Sequence, residues 1–233
     1  MHDMKHLSKA TANNRLATIK SYVKYVCAKD MRIQQYAFAI NQVPFYTLPQ
    51  KQQGIIENVD AISAILSMPP NTKKGLRDKV IMSVLFDSGM RVDELLSLKI
   101  RNIEIKDDEA HVSIHGKGDK YRPDILDKKT TTLIKQYLNE YHSTTNMNDP
   151  FIYTNVKGVK SAMSARNVQK MIKRYADLAR NEGYDVPDGV SPHMLRRTRG
   201  TLLYRDGVPL EDIAVKFGHA STDTTKKHYT SPF

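Results

Sequence analysis

The chain has 233 residues, of which 40% are hydrophobic and 26% charged. That composition supports a packed core and lies outside the range of disordered chains. Lys and Arg number 36 against 25 Asp and Glu, a net charge of +11, which favours a polyanionic partner, nucleic acid ahead of an anionic membrane surface. No apolar run approaches the ~20 residues of a membrane span, and the first residues lack the apolar stretch of a secretory signal. Cys27 is the sole cysteine, which excludes an internal disulfide and a Cys-based zinc site. The expected location is therefore cytoplasmic.

The charge is uneven. Residues 1–53 carry net +6, residues 54–150 net −1 and residues 151–233 net +6. Two basic ends around a neutral middle would suit a clamp on a duplex. The same charges scattered over a solvated surface would need no partner.

In chain order, Leu16, Ile19, Val23 and Val26 recur at helical spacing and predict a helix over Ser8–Lys29, with Arg15, Lys20 and Lys24 elsewhere on its surface. A short second helix is expected over Met31–Ile40. Residues 41–54, with two prolines and four glutamines, read as a linker. Residues 1–43 thus form a short helical segment and 44–57 a linker, and the main domain occupies 58–233. That domain opens with a helix over Val59–Ser67, stopped by Pro69-Pro70. Another spans Leu76–Ser88, Gly89 breaks it, and a helix resumes at Val92–Leu98. The period then changes. Ile103 and Ile105, Val112 and Ile114, and Tyr121–Leu126 alternate as strands of one small antiparallel sheet, the tight turn Gly116–Asp119 joining the second and third. Helices follow at Thr130–Tyr141, Ala165–Asn181, Pro192–Asp206 and Leu210–Phe217. Ser191 is a candidate N-cap with Pro192 at the first helical position. The fold class is mainly α with a small antiparallel β-sheet (α+β).

Four fragments carry candidate chemistry. In Gly89-Met90-Arg91-Val92-Asp93-Glu94, an Arg at a helix start can meet a phosphate, with Glu94 orienting it through a bidentate pair. A plain surface salt bridge is the other reading. In His115-Gly116-Lys117-Gly118-Asp119-Lys120, a Lys at a glycine-flanked tip can reach a ligand, or be an ordinary exposed turn. In Pro192-His193-Met194-Leu195-Arg196-Arg197, His193 and Arg196 share a helix face in the first turn, with Leu195 and Leu202 toward the core. Phe217-Gly218-His219 ends a helix, and Tyr229 follows among basic residues. Each fragment alone is better explained as ordinary structure.

In this order, however, Arg91, Lys117, His193-x-x-Arg196, Gly218-His219 and Tyr229 resemble the tyrosine recombinase (phage integrase) family, over about residue 58 to the C-terminus. GMRVDELLSL, HMLRRT and FGHASTDTTKKHYT are the specific stretches. Residues 8–53 look, more loosely, like the end of the family's DNA-clamping core-binding domain. The resemblance implies a tyrosine-recombinase-like catalytic fold and a site-specific recombinase or integrase acting on double-stranded DNA. Two alternatives are a type IB topoisomerase-like relaxing enzyme and a catalytically silent DNA-binding protein of the same fold. It also implies a tetramer on DNA, a monomer in solution and a nucleoid-associated location, with no membrane, no cofactor, no metal and no ATP.

The implied chemistry is transesterification. Tyr229 attacks the scissile phosphorus, forming a 3′-phosphotyrosyl link and releasing a 5′-hydroxyl that can reverse the step. Arg91 and Arg196 would hold the non-bridging oxygens, His193 would serve as base, Lys117 would protonate the leaving oxygen, and His219 would hydrogen-bond the phosphate. Arg15, Lys20, Lys24, Lys120 and Arg197 are candidate DNA contacts. Departures are Arg197 where many relatives carry His, Phe217 in place of Leu, four residues after Tyr229 where many have a longer docking tail, and an N-terminal unit shorter than in relatives.

Overall fold

The computed structural model describes residues 7–49, 54–116, 121–143, 146–156 and 159–218. Lys117, Lys120, His219 and Tyr229, and most of the Gly116–Asp119 turn, lie outside the described residues. The chain divides into two compact units, Met1–Gln52 and Gln53–Phe233.

The first unit pairs α1 (Lys9–Cys27) with α2 (Gln34–Gln42) across a 3-10 turn at Met31–Ile33. Ser8 caps α1, accepting from the Thr11 amide, and Asn13 exchanges two 2.8 Å hydrogen bonds with the Tyr46 backbone. None of its helical residues is buried. The stripe expected on α1 is half-covered at best, and Ile19 is 49% exposed. Two short helices make only one layer, too little to enclose side chains. Lys20 spends its ammonium within the unit, donating to the carbonyls of Asn41 (3.1 Å) and Val43 (2.7 Å) and lying over the Phe45 ring. Arg15 and Lys24 are exposed.

In the second unit, α3 (Val59–Ser67), α4 (Lys73–Ser88), α5 (Val92–Ser97), α6 (Lys128–Tyr141), α7 (Ala165–Asn181), α8 (Pro192–Arg205) and α9 (Leu210–Phe217) are the helices. α4 is central. It is buried along most of its length and packs on α3, α5, α6, α7 and α8. Strands β1 (Ile103–Lys106), β2 (Glu109–His115) and β3 (Tyr121–Leu126) form an antiparallel sheet in that order, with α6 against β2.

Two features depart from expectation. A second sheet exists, a hairpin of β4 (Tyr153–Val156) and β5 (Val159–Ala162). β5 is exposed almost throughout, with Val159 at 64%, so it carries no alternating apolar face to betray it. The second departure is the polarity of β3. Its register sets Leu126, Asp124 and Arg122 opposite Ala110, Val112 and Ile114, the inward residues of β2. Tyr121, Pro123 and Ile125 face outward. Pro123 is tolerated because β3 is an edge strand.

Gly89 is where backbone and packing both forbid a side chain. It ends α4 with φ +62°, and a Cβ there would lie 2.4 Å from the Phe217 ring. Phe217, fully buried, thereby seats α9 against the α4–α5 junction.

Candidate active site

The site grows from that junction. Ser88 Oγ donates to the Val84 carbonyl (2.6 Å) and accepts from the Met90 amide (3.1 Å), shaping the turn. Arg91 is then the N-cap of α5. Glu94 closes the first turn. Its Oε2 accepts from the Arg91 amide (2.8 Å) and its Oε1 from Arg91 Nη1 (2.9 Å).

The bidentate Arg91–Glu94 pair expected from the sequence is thus not the one formed. Arg91 engages the carboxylate through a single guanidinium nitrogen. The fork comes from Arg122, with Nη2 to Oε2 at 2.8 Å and Nη1 to Oε1 at 3.3 Å, while Arg122 Nε donates to the Lys216 carbonyl (3.0 Å). Burial alone would raise the pKa of Glu94. The hydrogen bonds from Arg122 and from Arg91 outweigh it and hold the carboxylate below its ordinary value. Arg91 keeps 42% of its side chain exposed.

Helix α8 supplies the other wall. Ser191 caps it, accepting from the Met194 amide, with Pro192 in the first turn. Leu195 enters the core. Thr198 Oγ1 donates to the Met194 carbonyl and accepts from the Ile56 amide (3.0 Å), anchoring the helix. Arg199 pairs with Asp87 of α4. Arg196, only 5% exposed, is no solvated side chain. Its Nη1 donates to the Gly89 carbonyl and its Nη2 to the Phe217 carbonyl (2.6 Å), with the guanidinium over the Phe217 ring. One side chain therefore binds the turn before Arg91 and the residue two before His219. Arg197, named above as a candidate DNA contact, donates through Nε and Nη2 to the Gly54 carbonyl (3.2 and 2.7 Å), and so secures the chain entering this unit.

His193 is exposed at the start of α8, yet protein atoms crowd it. Lost hydration, then the charges of Arg196, Arg197 and Arg91, lower its pKa below the usual imidazole value, while Asp93 opposes them weakly. The imidazole is therefore neutral at neutral pH and able to accept a proton. A cleavage rate governed by neutral His193 should have the midpoint of its acid limb below pH 6.5, where an unperturbed imidazole is half-protonated. His193→Gln should remove this acid limb. A pH–rate profile of single-turnover cleavage measures both.

The structure brings together Arg91, Glu94, His193 and Arg196 of the expected set. It places Arg15, Lys20 and Lys24 in the other unit. Arg122 was missed because it sits where an alternating strand would carry an apolar residue. Among the described residues no group of three or more His, Cys, Asp or Glu side chains could hold a metal ion.

A family model, the phage integrase family, matches residues 58–233. The chain belongs to the phage integrase family. Among similar phage integrase relatives is the tyrosine recombinase XerD of Listeria monocytogenes serotype 4b (strain F2365), 30% identical over 184 residues, covering 76% of this chain and 59% of the relative. The chain thus spans less than two thirds of that protein's length. The tyrosine recombinase XerC of Staphylococcus aureus (strain bovine RF122 / ET3-1) is 27% identical over 234 residues, 96% of this chain and 71% of the relative. Among solved structures, the XerH site-specific recombinase bound to difH substrate, a pre-cleavage complex, superposes with a TM-score of 0.70. It is 26% identical, over 96% of this chain and 62% of that one. The XerA recombinase gives 0.65 at 24% identity, over 94% and 78%, and supports the fold alone.

Proposed function

We propose that this phage integrase family member is a site-specific DNA recombinase that cleaves and rejoins strands through a 3′-phosphotyrosyl intermediate. The observation that carries the reading is Arg196. By holding the carbonyls of Gly89 and Phe217 it gathers Arg91, His193 and the segment leading to His219 at one place, the arrangement a single phosphate needs.

The chemistry follows from the residue types. A pentacoordinate phosphorane concentrates more negative charge than the diester ground state. Arg91 and Arg196 are cations where that charge develops. Tyr229, with an ordinary pKa of about 10, must lose its proton as it attacks, and the neutral imidazole of His193 accepts it. Its phenolic oxygen forms the bond to phosphorus as the bond to the 5′-oxygen breaks. Lys117 protonates that leaving oxygen and His219 hydrogen-bonds the phosphate. The covalent link retains the ester energy, so rejoining is the same step reversed with a 5′-hydroxyl as nucleophile. In this reading residues 1–43 clamp the duplex, with Arg15 and Lys24 near phosphates, residues 44–57 act as the tether, and four copies assemble on DNA from a monomeric pool.

The test is capture of the protein on DNA. Incubated with nicked duplexes carrying candidate sites from its own genome, the chain should form adducts that survive detergent and migrate with it. Sequencing the attached strand gives the site, and pairs of sites should then exchange strands. No adduct on any site would overturn the reading. Adducts with supercoil relaxation but no exchange would point to a topoisomerase-like enzyme instead.

A further inference from the structure

We propose that Arg122 is the positioning residue that keeps the Arg91 guanidinium directed at the phosphate and locks the α5 start, the start of β3 and the end of α9 into one frame. This rests on the function proposed above. Arg122 lies on the inward face of β3, one residue into the strand that follows the lysine turn. Its side chain is 13% exposed. Its donors point to two elements. The fork binds Glu94, and Nε binds the Lys216 carbonyl, one of the carbonyls that a helix C-terminus leaves without a partner. It also presses on Gly218, where a Cβ would sit 3.1 Å from its Nη1.

The consequence falls on Arg91. A carboxylate prefers two parallel bonds from one guanidinium. Here Arg122 occupies that position, so Arg91 is left with its amide bond and a single Nη1 contact. Without Arg122, the fork on Glu94 is open to Arg91, whose guanidinium would fold back onto it and away from substrate. The Lys216 carbonyl would lose its donor, freeing the approach to His219. Lysine cannot replace Arg122, because one ammonium lacks the planar fork. Lys216 reinforces the arrangement, its ammonium paired with buried Asp124 two residues along β3.

The experiment uses the 233-residue chain and a nicked duplex carrying the site mapped for the parent. Arg122→Gln should cleave about 10²-fold more slowly at saturating DNA, with Kd for DNA within about threefold of the parent. Arg122→Lys should recover little of the rate. If Arg122 acts through Glu94, then Glu94→Gln with Arg122→Gln should be no slower than the slower single variant. In the DNA-free protein, the His193 titration seen by NMR should move up in Arg122→Gln, as the charge of Arg91 withdraws. Cleavage by Arg122→Gln within about threefold of the parent, losses that multiply in the double variant, or an unmoved His193 titration would each overturn the proposal. If Arg122→Gln fails to fold, Arg122→Lys carries the same tests. A parent chain that makes no adduct removes the function itself, and this proposal with it. A parent that makes adducts beside a fully active Arg122→Gln removes this proposal only.

Discussion

Tyr229→Phe should bind its DNA as the parent does and form no covalent adduct. The substitution removes one phenolic oxygen and leaves the ring, so contacts to the duplex change little while the nucleophile disappears. A gel shift should place Kd within about threefold of the parent, and a denaturing gel should show no protein-linked strand. Peptide mapping of the parent adduct matters because the chain holds 12 tyrosines. Several described ones are tied down. Tyr137 donates to the Phe151 carbonyl, and burial drives its pKa far above the ordinary phenol value. Tyr175 donates to Asp78, Tyr141 to the Lys73 carbonyl and Tyr153 to the Tyr141 carbonyl. None of these is poised to attack a phosphorus. A persistent adduct in Tyr229→Phe would assign the nucleophile elsewhere.

Arg196→Ala should fail twice over. Loss of a transition-state donor should slow cleavage by about 10²-fold or more. The structure adds a second effect. The carbonyls of Gly89 and Phe217 would lose a buried charged donor, at roughly 1–3 kcal/mol for each group left unsatisfied. Denaturant unfolding should therefore shift alongside the rate. Arg196→Lys separates the two, since one ammonium retains charge and can reach one carbonyl but not both. It should regain part of the stability and little of the rate. An Arg196→Ala chain that cleaves at full speed would show that the phosphate sits elsewhere.

The helical skeleton was legible in advance because its signals are local. α3, α7 and α9 run where apolar spacing, Pro69-Pro70 and Gly218 place them. Ser191 caps α8, and Gly89 breaks the chain in the left-handed conformation. The β4–β5 hairpin escaped because β5 is largely exposed and needs no apolar periodicity. The partner of Glu94 escaped for a different reason. Arg91 is near in sequence and Arg122 is distant, and only the register of β3 on β2 brings Arg122 inward. Alternation within Tyr121–Leu126 is real, but which face is buried depends on pairing with β2.

The order and identity of Arg91, Lys117, His193, Arg196, His219 and Tyr229 are properties of the sequence, and so is the family they denote, because the proposed chemistry needs groups of particular chemical types. How charge is shared among them is not. That Arg196 is a buried brace between two carbonyls, that Arg91 holds Glu94 by one guanidinium nitrogen beside its own amide, and that Arg197 and Lys20 donate to backbone carbonyls, were settled by tertiary contacts. Hydrogen-bond partners far apart along the chain are chosen by packing, and packing cannot be read from spacing alone.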